Sequence, residues 1–299
     1  MPKARLWLKR FIFSSNTLVK KPLEGNKLTR EEFKNACFSF GITPGDILLV
    51  HSTSDIHIRL GLNPAETITF LKDLVGESGT LAMPCFPIIN GNPKGLDSFK
   101  DLKYENQLTY NVQKNSPWTG ILAKQLMQTP GSLRSRNPIN SMIALGPHAD
   151  EMMRHNLESP YKPHGIGSSW HYCFKNNAKI LMLNCSPAHT LTMVHLKEDI
   201  INDWPIPSKN WYRKRNFIVQ DGKFNQEVTV LERSALWNCF FVEQNLSFKL
   251  SKSGILMTKQ LENINLSSCE SNELCEFLDK SKDIVFPYKI PNFIKFLFK

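Results

Sequence analysis

No stretch of the 299-residue chain holds the roughly 18 consecutive apolar residues of a membrane-spanning helix. No CxxC pair occurs, and the seven cysteines are odd in number and irregularly spaced. Complete pairing within one chain is therefore excluded. Buried reduced thiols are the expectation, with no structural metal. Internal repeats and low-complexity tracts are absent, as are helix-turn-helix, RRM and zinc-finger signatures. Nucleic acid is thus not an expected partner. Acidic residues are scarce: 27 Asp and Glu face 37 Lys and Arg, for a net charge of +10. Such a field attracts anions, whether acidic lipid or a phosphate-bearing ligand.

Apolar residues make up 41% of the chain, enough for a sizeable core. Lys9 and Arg10 interrupt the short apolar run of MPKARLWLKRFIFSS, which makes it a poor secretory signal. A cytoplasmic protein is expected. Both termini are basic and aromatic (LWLKRFIF, then YKIPNFIKFLFK). They are candidates for peripheral contact with an anionic membrane surface, although solvated tails with a few anchoring aromatics are the preferred reading.

Residues 1–27 read as a basic arm and 28–299 as one domain, with a core over 28–203 and a C-terminal α+β portion over 204–299. Thr29 and Glu32 form a capping-box pattern that opens a helix. GDILLVHST is a short apolar run after a turn, hence a strand. Asn63 and Pro64 cap a second helix, PAETITFLKDLVG. GTLAMPCFP, SMIALGP and KILMLNCS are further strands, and WTGILAKQLMQTPG, HADEMMRHN and GSSWHYCFKNN are helical. TLTMVHLKEDIIND is predicted as one helix after the last strand. Residues 87–117 are long, polar and irregular, which suits a loop that shapes a pocket. Beyond residue 204, RKRNFIVQDGKFNQEVTVL reads as a hairpin turning at Asp221-Gly222. Alternating strands and helices predict an α/β fold: a three-layer-like domain, a central mixed sheet flanked by helices, with an additional strand-rich C-terminal region.

Three places could carry chemistry. In TLTMVHLKED, Thr192, His195 and Glu198 are spaced three apart and share a helical face. A carboxylate there would orient an imidazole that titrates near neutrality, as a general base requires. The segment follows a buried strand, and α/β proteins bind ligands outside the carboxyl ends of strands. At the end of another apolar run, His51, Ser52 and Thr53 offer hydroxyls and backbone N–H groups. Residues 133–141, LRSRNPINS, bring two arginines, two serines and a rigid Asn137-Pro138. A rival chemistry would use Cys185 as an acyl carrier beside His189. Each place alone also reads as a polar turn, a loop or a solvated helix.

Together, in this order, they resemble the aminoglycoside 3-N-acetyltransferase family. VHST matches a VHSS-like turn at a strand end. RSRNPINSMIALG, residues 134–146, matches an RS-x-HP-x-x-S-x-x-x-x-G segment. GIGSSW matches a G-x-x-SP-like helix start, and Thr192, His195 and Glu198 match T-x-x-H-x-x-E. The likeness runs from about residue 28 to 215. Two departures lie near the expected acceptor site: Asn137 replaces a histidine, and NCSPAH replaces a glycine-rich turn with an aspartate.

The resemblance implies acetyl-CoA as co-substrate and direct attack by an amine on the thioester. His195 would be the general base, oriented by Glu198, with Thr192 and Ser52 near the developing oxyanion. His51, Ser52, Thr53, Arg134, Ser135 and Ser141 would contact the cofactor, and Asn137 and Asn140 the acceptor. The expected partner is a small-molecule amine, the expected assembly a monomer or homodimer. Because +10 repels a polycation at long range, the expected acceptor is an amino sugar of surface-polysaccharide synthesis. An aminoglycoside antibiotic is the alternative. A catalytically inactive basic binding or membrane-surface subunit is the alternative of another class.

Overall fold

In the computed structural model, residues 28–92, 106–154, 160–292 and 294 are described. The basic arm therefore lies outside the described residues, with its expected membrane contact. About half of the 87–117 loop and the last five residues lie outside them too. Among the described residues, no helix is long and apolar enough to cross a membrane.

The apolar runs become strands buried on both faces. In β1 (Ile47–Ser52), Ile47 and Leu49 face one layer while Leu48 and Val50 face the other. A strand covered on both faces reads as a continuous apolar run rather than an alternation. β1 pairs in parallel with β2 (Thr80–Pro84) and β6 (Lys179–Leu183). β5 (Met142–Leu145) and β4 (Leu133–Arg134) extend one side antiparallel. β10 (Ile264–Glu270) and β9 (Met257–Leu261) extend the other. The mixed sheet has seven strands in the order β4-β5-β2-β1-β6-β10-β9. The chain beyond residue 204 thus completes the central sheet through β9 and β10, and it also supplies two strands of a second, smaller sheet.

Helices cover both faces. Phe33 and Cys37, Leu71 and Leu74, and Leu122 and Leu126 pack one layer. Trp170 and Cys173, Leu246 and Leu250, and Leu274 and Leu278 pack the other. The expected caps form: Glu32 N–H donates to Thr29 Oγ1 at 3.1 Å, and Glu66 N–H donates to Asn63 Oδ1 at 2.9 Å. The expected hairpin is β7 (Tyr212–Asp221) with β8 (Phe224–Arg233). With β3 (Leu108–Asn111), drawn from the irregular loop, it makes a second, three-stranded sheet.

Two expectations change. The helix expected to run to Gly131 spans only Ile121–Met127, because Pro130 restricts Thr129 before it. The single helix expected over 190–203 is three short turns: Pro187–Thr190, a 3-10 turn over Thr192–His195, and Leu196–Ile200. Leu191 breaks the first from the second with ψ 68°. The break turns the residues after it, including His195, into the molecule.

One close approach locks the β2–β5 edge. Gly146 has φ 134°, and a Cβ there would lie 2.4 Å from the Gly79 carbonyl oxygen. Gly146→Ala should therefore destabilise the protein by about 2–4 kcal/mol in urea unfolding, through backbone strain and overpacking. An unchanged midpoint would contradict this packing.

Candidate active site

The broken helix sets two neighbouring carboxylates at the carboxyl end of the sheet. Glu198 and Asp199 are both buried. Each takes a different histidine. His195 Nδ1 lies 3.4 Å from Glu198 Oε1 and 3.2 Å from the Tyr288 hydroxyl. Arg233, the last residue of β8, reaches Glu198 Oε1 at 3.2 Å and donates to the Tyr288 hydroxyl at 2.6 Å. Asp199 turns the other way. Its Oδ2 accepts from the His164 backbone N–H at 2.9 Å and lies 3.2 Å from His164 Nδ1, and its Oδ1 accepts from the Tyr212 hydroxyl at 2.8 Å. The two imidazole rings lie 5.6 Å apart, centre to centre.

The surroundings give these groups different proton affinities. Burial raises the Glu198 carboxyl to about 7, against the opposing charge of Arg233. Burial also pulls His195 well below the usual histidine range, and the charges of Arg233 and His164 add to this. His195 is therefore neutral at pH 7. Burial pushes the Asp199 carboxyl up, but His164 and Tyr212 together outweigh it, and the carboxyl sits below its ordinary value. An ionised Asp199 at Nδ1 fixes the His164 tautomer. Among the described residues, its Nε2 is buried without a partner.

Both histidines, Thr192 and Asn140 line a cavity of about 320 Å³ closed on one side by Phe86 and Trp118. A second cavity of about 330 Å³ opens at the ends of β1 and β2 and is lined by His51, Ser52, Ser54 and Thr119. Thr192, Phe86 and Trp118 border both. The arrangement suits two reactants that enter separately and meet beside Thr192. Among the described residues no cluster of ligands could hold a metal ion.

The sequence-predicted residues divide. Thr192, His195 and Glu198 come together, as do His51 and Ser52 at the second cavity. The Thr53 N–H is engaged by the Leu183 carbonyl at 3.1 Å. Arg134, Ser135 and Ser141, expected to contact the cofactor, are instead internal. Arg134 donates to the Cys85, Val112 and Asn115 carbonyls at 2.6, 3.1 and 2.5 Å, and to Ser141 Oγ at 3.3 Å. Ser141 Oγ also donates to the Cys85 carbonyl, and Ser135 Oγ accepts from the Met142 N–H at 3.0 Å. They staple the loop to the sheet, and their polar atoms turn into the protein rather than towards a phosphate. Asn137 is likewise internal rather than on the acceptor. It donates to the Pro163 carbonyl at 2.8 Å and accepts from the N–H groups of Ile139 and Asn140. It thus braces the residue before His164, while Asn140 lines the cavity. The Cys185 route has no support: burial pushes its thiol up to about 11, and His189 pairs with Glu243 at 2.6 Å.

Sequence reading missed His164, Asp199, Tyr212, Arg233 and Tyr288. Asp199 directly follows Glu198, and His164 directly precedes the GIGSSW motif. Those positions were the available signals. The tyrosines and Arg233 come from distant segments and leave none. Tyr288 opens the expected C-terminal tail, yet it is buried against Trp211, with ring centres 5.1 Å apart.

A model of the aminoglycoside 3-N-acetyltransferases matches residues 49–281. The chain belongs to the aminoglycoside 3-N-acetyltransferase family. It is 28% identical over 184 residues to aminoglycoside N(3)-acetyltransferase IX of Micromonospora chalcea, covering 58% of this chain and 63% of that one. It is 25% identical over 225 residues to aminoglycoside N(3)-acetyltransferase VII of Streptomyces paromomycinus, covering 69% and 76%. The alignment thus spans somewhat under two thirds of the first relative and about three quarters of the second. Both are acyltransferases by name. The fold matches AAC-IIIb in its binary complex with CoASH, with a TM-score of 0.67, 21% identity and coverage of 84% and 94%. It also matches a variant of AAC(3)-IVa in complex with a gentamicin, with a TM-score of 0.64, 19% identity and coverage of 91% and 95%. These findings favour the aminoglycoside alternative over a surface-polysaccharide amino sugar, which finds no support among them.

Two measurements test the site's construction. Arg134→Met should cost about 2–5 kcal/mol in urea unfolding, because it leaves buried carbonyls without donors; a loss of CoA affinity with full stability would restore the cofactor role. His51 is held neutral by burial, which lowers it to about 4 from 6.5. The unfolded chain then binds the extra proton first, so stability falls as pH drops from 6.5 towards 4. In His51→Asn the proton uptake on unfolding at pH 5 should be smaller by about one. An identical uptake would show that His51 is not depressed.

Proposed function

We propose that the protein transfers an acetyl group from acetyl-CoA to an amine of an aminoglycoside, with the His164–Asp199 pair as the proton acceptor and His195 as a neutral neighbour. The observation that supports this reading most is the pairing of two adjacent buried carboxylates with two imidazoles on one cavity wall. Acetyl-CoA supplies the acyl group as a thioester, and the cavity of His51 and Ser52 suits its extended arm. The acceptor enters the other cavity, so its amine faces both histidines.

An amine with pKa above neutrality is mostly protonated and cannot attack. A base must take its proton. His195 was the sequence candidate, but burial and the Arg233 charge weaken it as an acceptor. His164 has the ionised Asp199 on Nδ1 and, among the described residues, no partner on Nε2, so Nε2 is placed to take the proton while Asp199 holds the ring. The ammonium releases one proton to solvent before it attacks. The amine nitrogen then forms its bond to the thioester carbon as the carbon–sulfur bond breaks, and the second proton passes from nitrogen to His164 and on to the departing thiolate. Thr192, at the junction, is the hydroxyl assigned to the carbonyl oxygen; its proton would leave the long 3.3 Å bond to the Thr190 carbonyl to do so.

The charge at the cavity differs from the charge of the whole chain. Three carboxyls (Glu198, raised to about 7, with Asp199 and Glu232) face two guanidiniums (Arg215 and Arg233), so the lining is close to neutral. At physiological salt, fields are screened beyond about 8 Å. The cavity lining, and not the +10 of the whole chain, then meets a bound cation.

The test is acetyl-CoA consumption on a panel of aminoglycosides and amino sugars. Turnover of an aminoglycoside is expected. His164→Ala should lower kcat about 10²–10⁴-fold with CoA affinity unchanged, and His195→Ala should lower it less. The reverse ranking would return the base role to His195. Turnover of amino sugars alone would overturn the acceptor class.

A further inference from the structure

We propose that Trp118 is an aromatic platform on which the ring of the acceptor lies, and that it sets acceptor affinity. The proposal rests on the acetyl-transfer reading above. Trp118 is 64% exposed, whereas Trp170, Trp211 and Trp237 are fully buried. A large indole left in water by a chain that buries three others calls for a reason.

Its backbone is not free. The Trp118 N–H donates to the Phe86 carbonyl at 2.9 Å, and the Ile88 N–H donates to the Ser116 carbonyl at 2.8 Å. Thr119 Oγ1 donates to the Pro84 carbonyl at 2.7 Å, and Pro87 and Pro117 form an antiparallel bridge. The segment is thus sewn to the end of β2 on both sides of the indole. Phe86 then meets the indole edge-on, with ring centres 5.5 Å apart. Folding has fixed a large flat ring at the rim of the site while leaving much of it open to water.

The position specifies the ligand. Trp118 borders the acceptor cavity and the strand-end cavity alike, so it stands where the two reactants meet. A saturated six-membered ring bearing ammonium groups has an apolar face of C–H bonds and a cationic rim. Both are attracted to an indole face, the first by apolar burial and the second by the ring quadrupole. A rigid platform orders little on binding, so most of that attraction appears as affinity. It contacts the substrate equally before and during reaction. Its loss should therefore raise the acceptor KM and leave kcat nearly unchanged.

The experiment combines kinetics with acrylamide quenching of tryptophan fluorescence. In the wild type, an aminoglycoside should shield part of the quenchable emission, and Trp118→Ala should lack that aminoglycoside-sensitive part. In Trp118→Ala the acceptor KM should rise about tenfold or more, with kcat within about threefold and the acetyl-CoA KM little changed. Trp118→Phe should recover most of the affinity. Turnover by Trp118→Ala with an unchanged acceptor KM would overturn the platform and leave acetyl transfer standing. Shielding without turnover in the wild type would support the platform and sink acetyl transfer to that acceptor. Neither shielding nor turnover would overturn both.

Discussion

Two carboxylates that follow one another in the chain, Glu198 and Asp199, are both buried, and each must be paired. An unpaired buried carboxylate is so unfavourable that it would take up a proton or be hydrated. The chain answers from three places. Tyr212 and Arg233 come from the base of the hairpin, where they lie opposite each other, and Tyr288 comes from beyond the Ser271–Asp279 helix. His164 comes from the turn before the Ser169–Lys175 helix. The central sheet, the smaller sheet and the C-terminal segment are thereby drawn to one point. Satisfying the two charges and assembling the candidate site are one event.

The same pairing separates the two histidines chemically. Arg233 is shared by Glu198 and Tyr288, and its charge opposes protonation of His195. Asp199 is held instead by His164 and Tyr212, and its charge falls on His164. Neighbouring carboxylates thus place the two imidazoles in different surroundings: His195 beside a guanidinium that opposes its charge, and His164 beside an ionised carboxylate.

Much of the fold was legible because it is local. The ILLV run, the Thr29 and Asn63 caps and the Asp221-Gly222 turn each carry their instruction within a few residues. The ordered motifs pointed to the family and to Thr192, His195 and Glu198. What failed was what sequence spacing cannot express. The helix over 190–203 breaks at Leu191, which is not a helix-breaking residue type. Arg134 sits in a motif that reads as anion-binding, yet backbone carbonyls of Cys85, Val112 and Asn115 engage its guanidinium. His164 and Asp199 are 35 residues apart, and no periodicity joins them. Net charge is a weak guide to an acceptor for a related reason: it sums over the whole surface, while the cavity is lined by its own carboxyls and guanidiniums.

On the proposed reading, proton acceptance at this site depends on Asp199 acting through His164. The most direct measurement is single-turnover acetyl transfer by Asp199→Asn, with CoA binding measured on the same sample. The expected rate is at least about 10²-fold below wild type, with CoA affinity preserved and the loss persisting as pH rises. An Asp199→Asn protein that transfers acetyl at the wild-type rate would contradict this role.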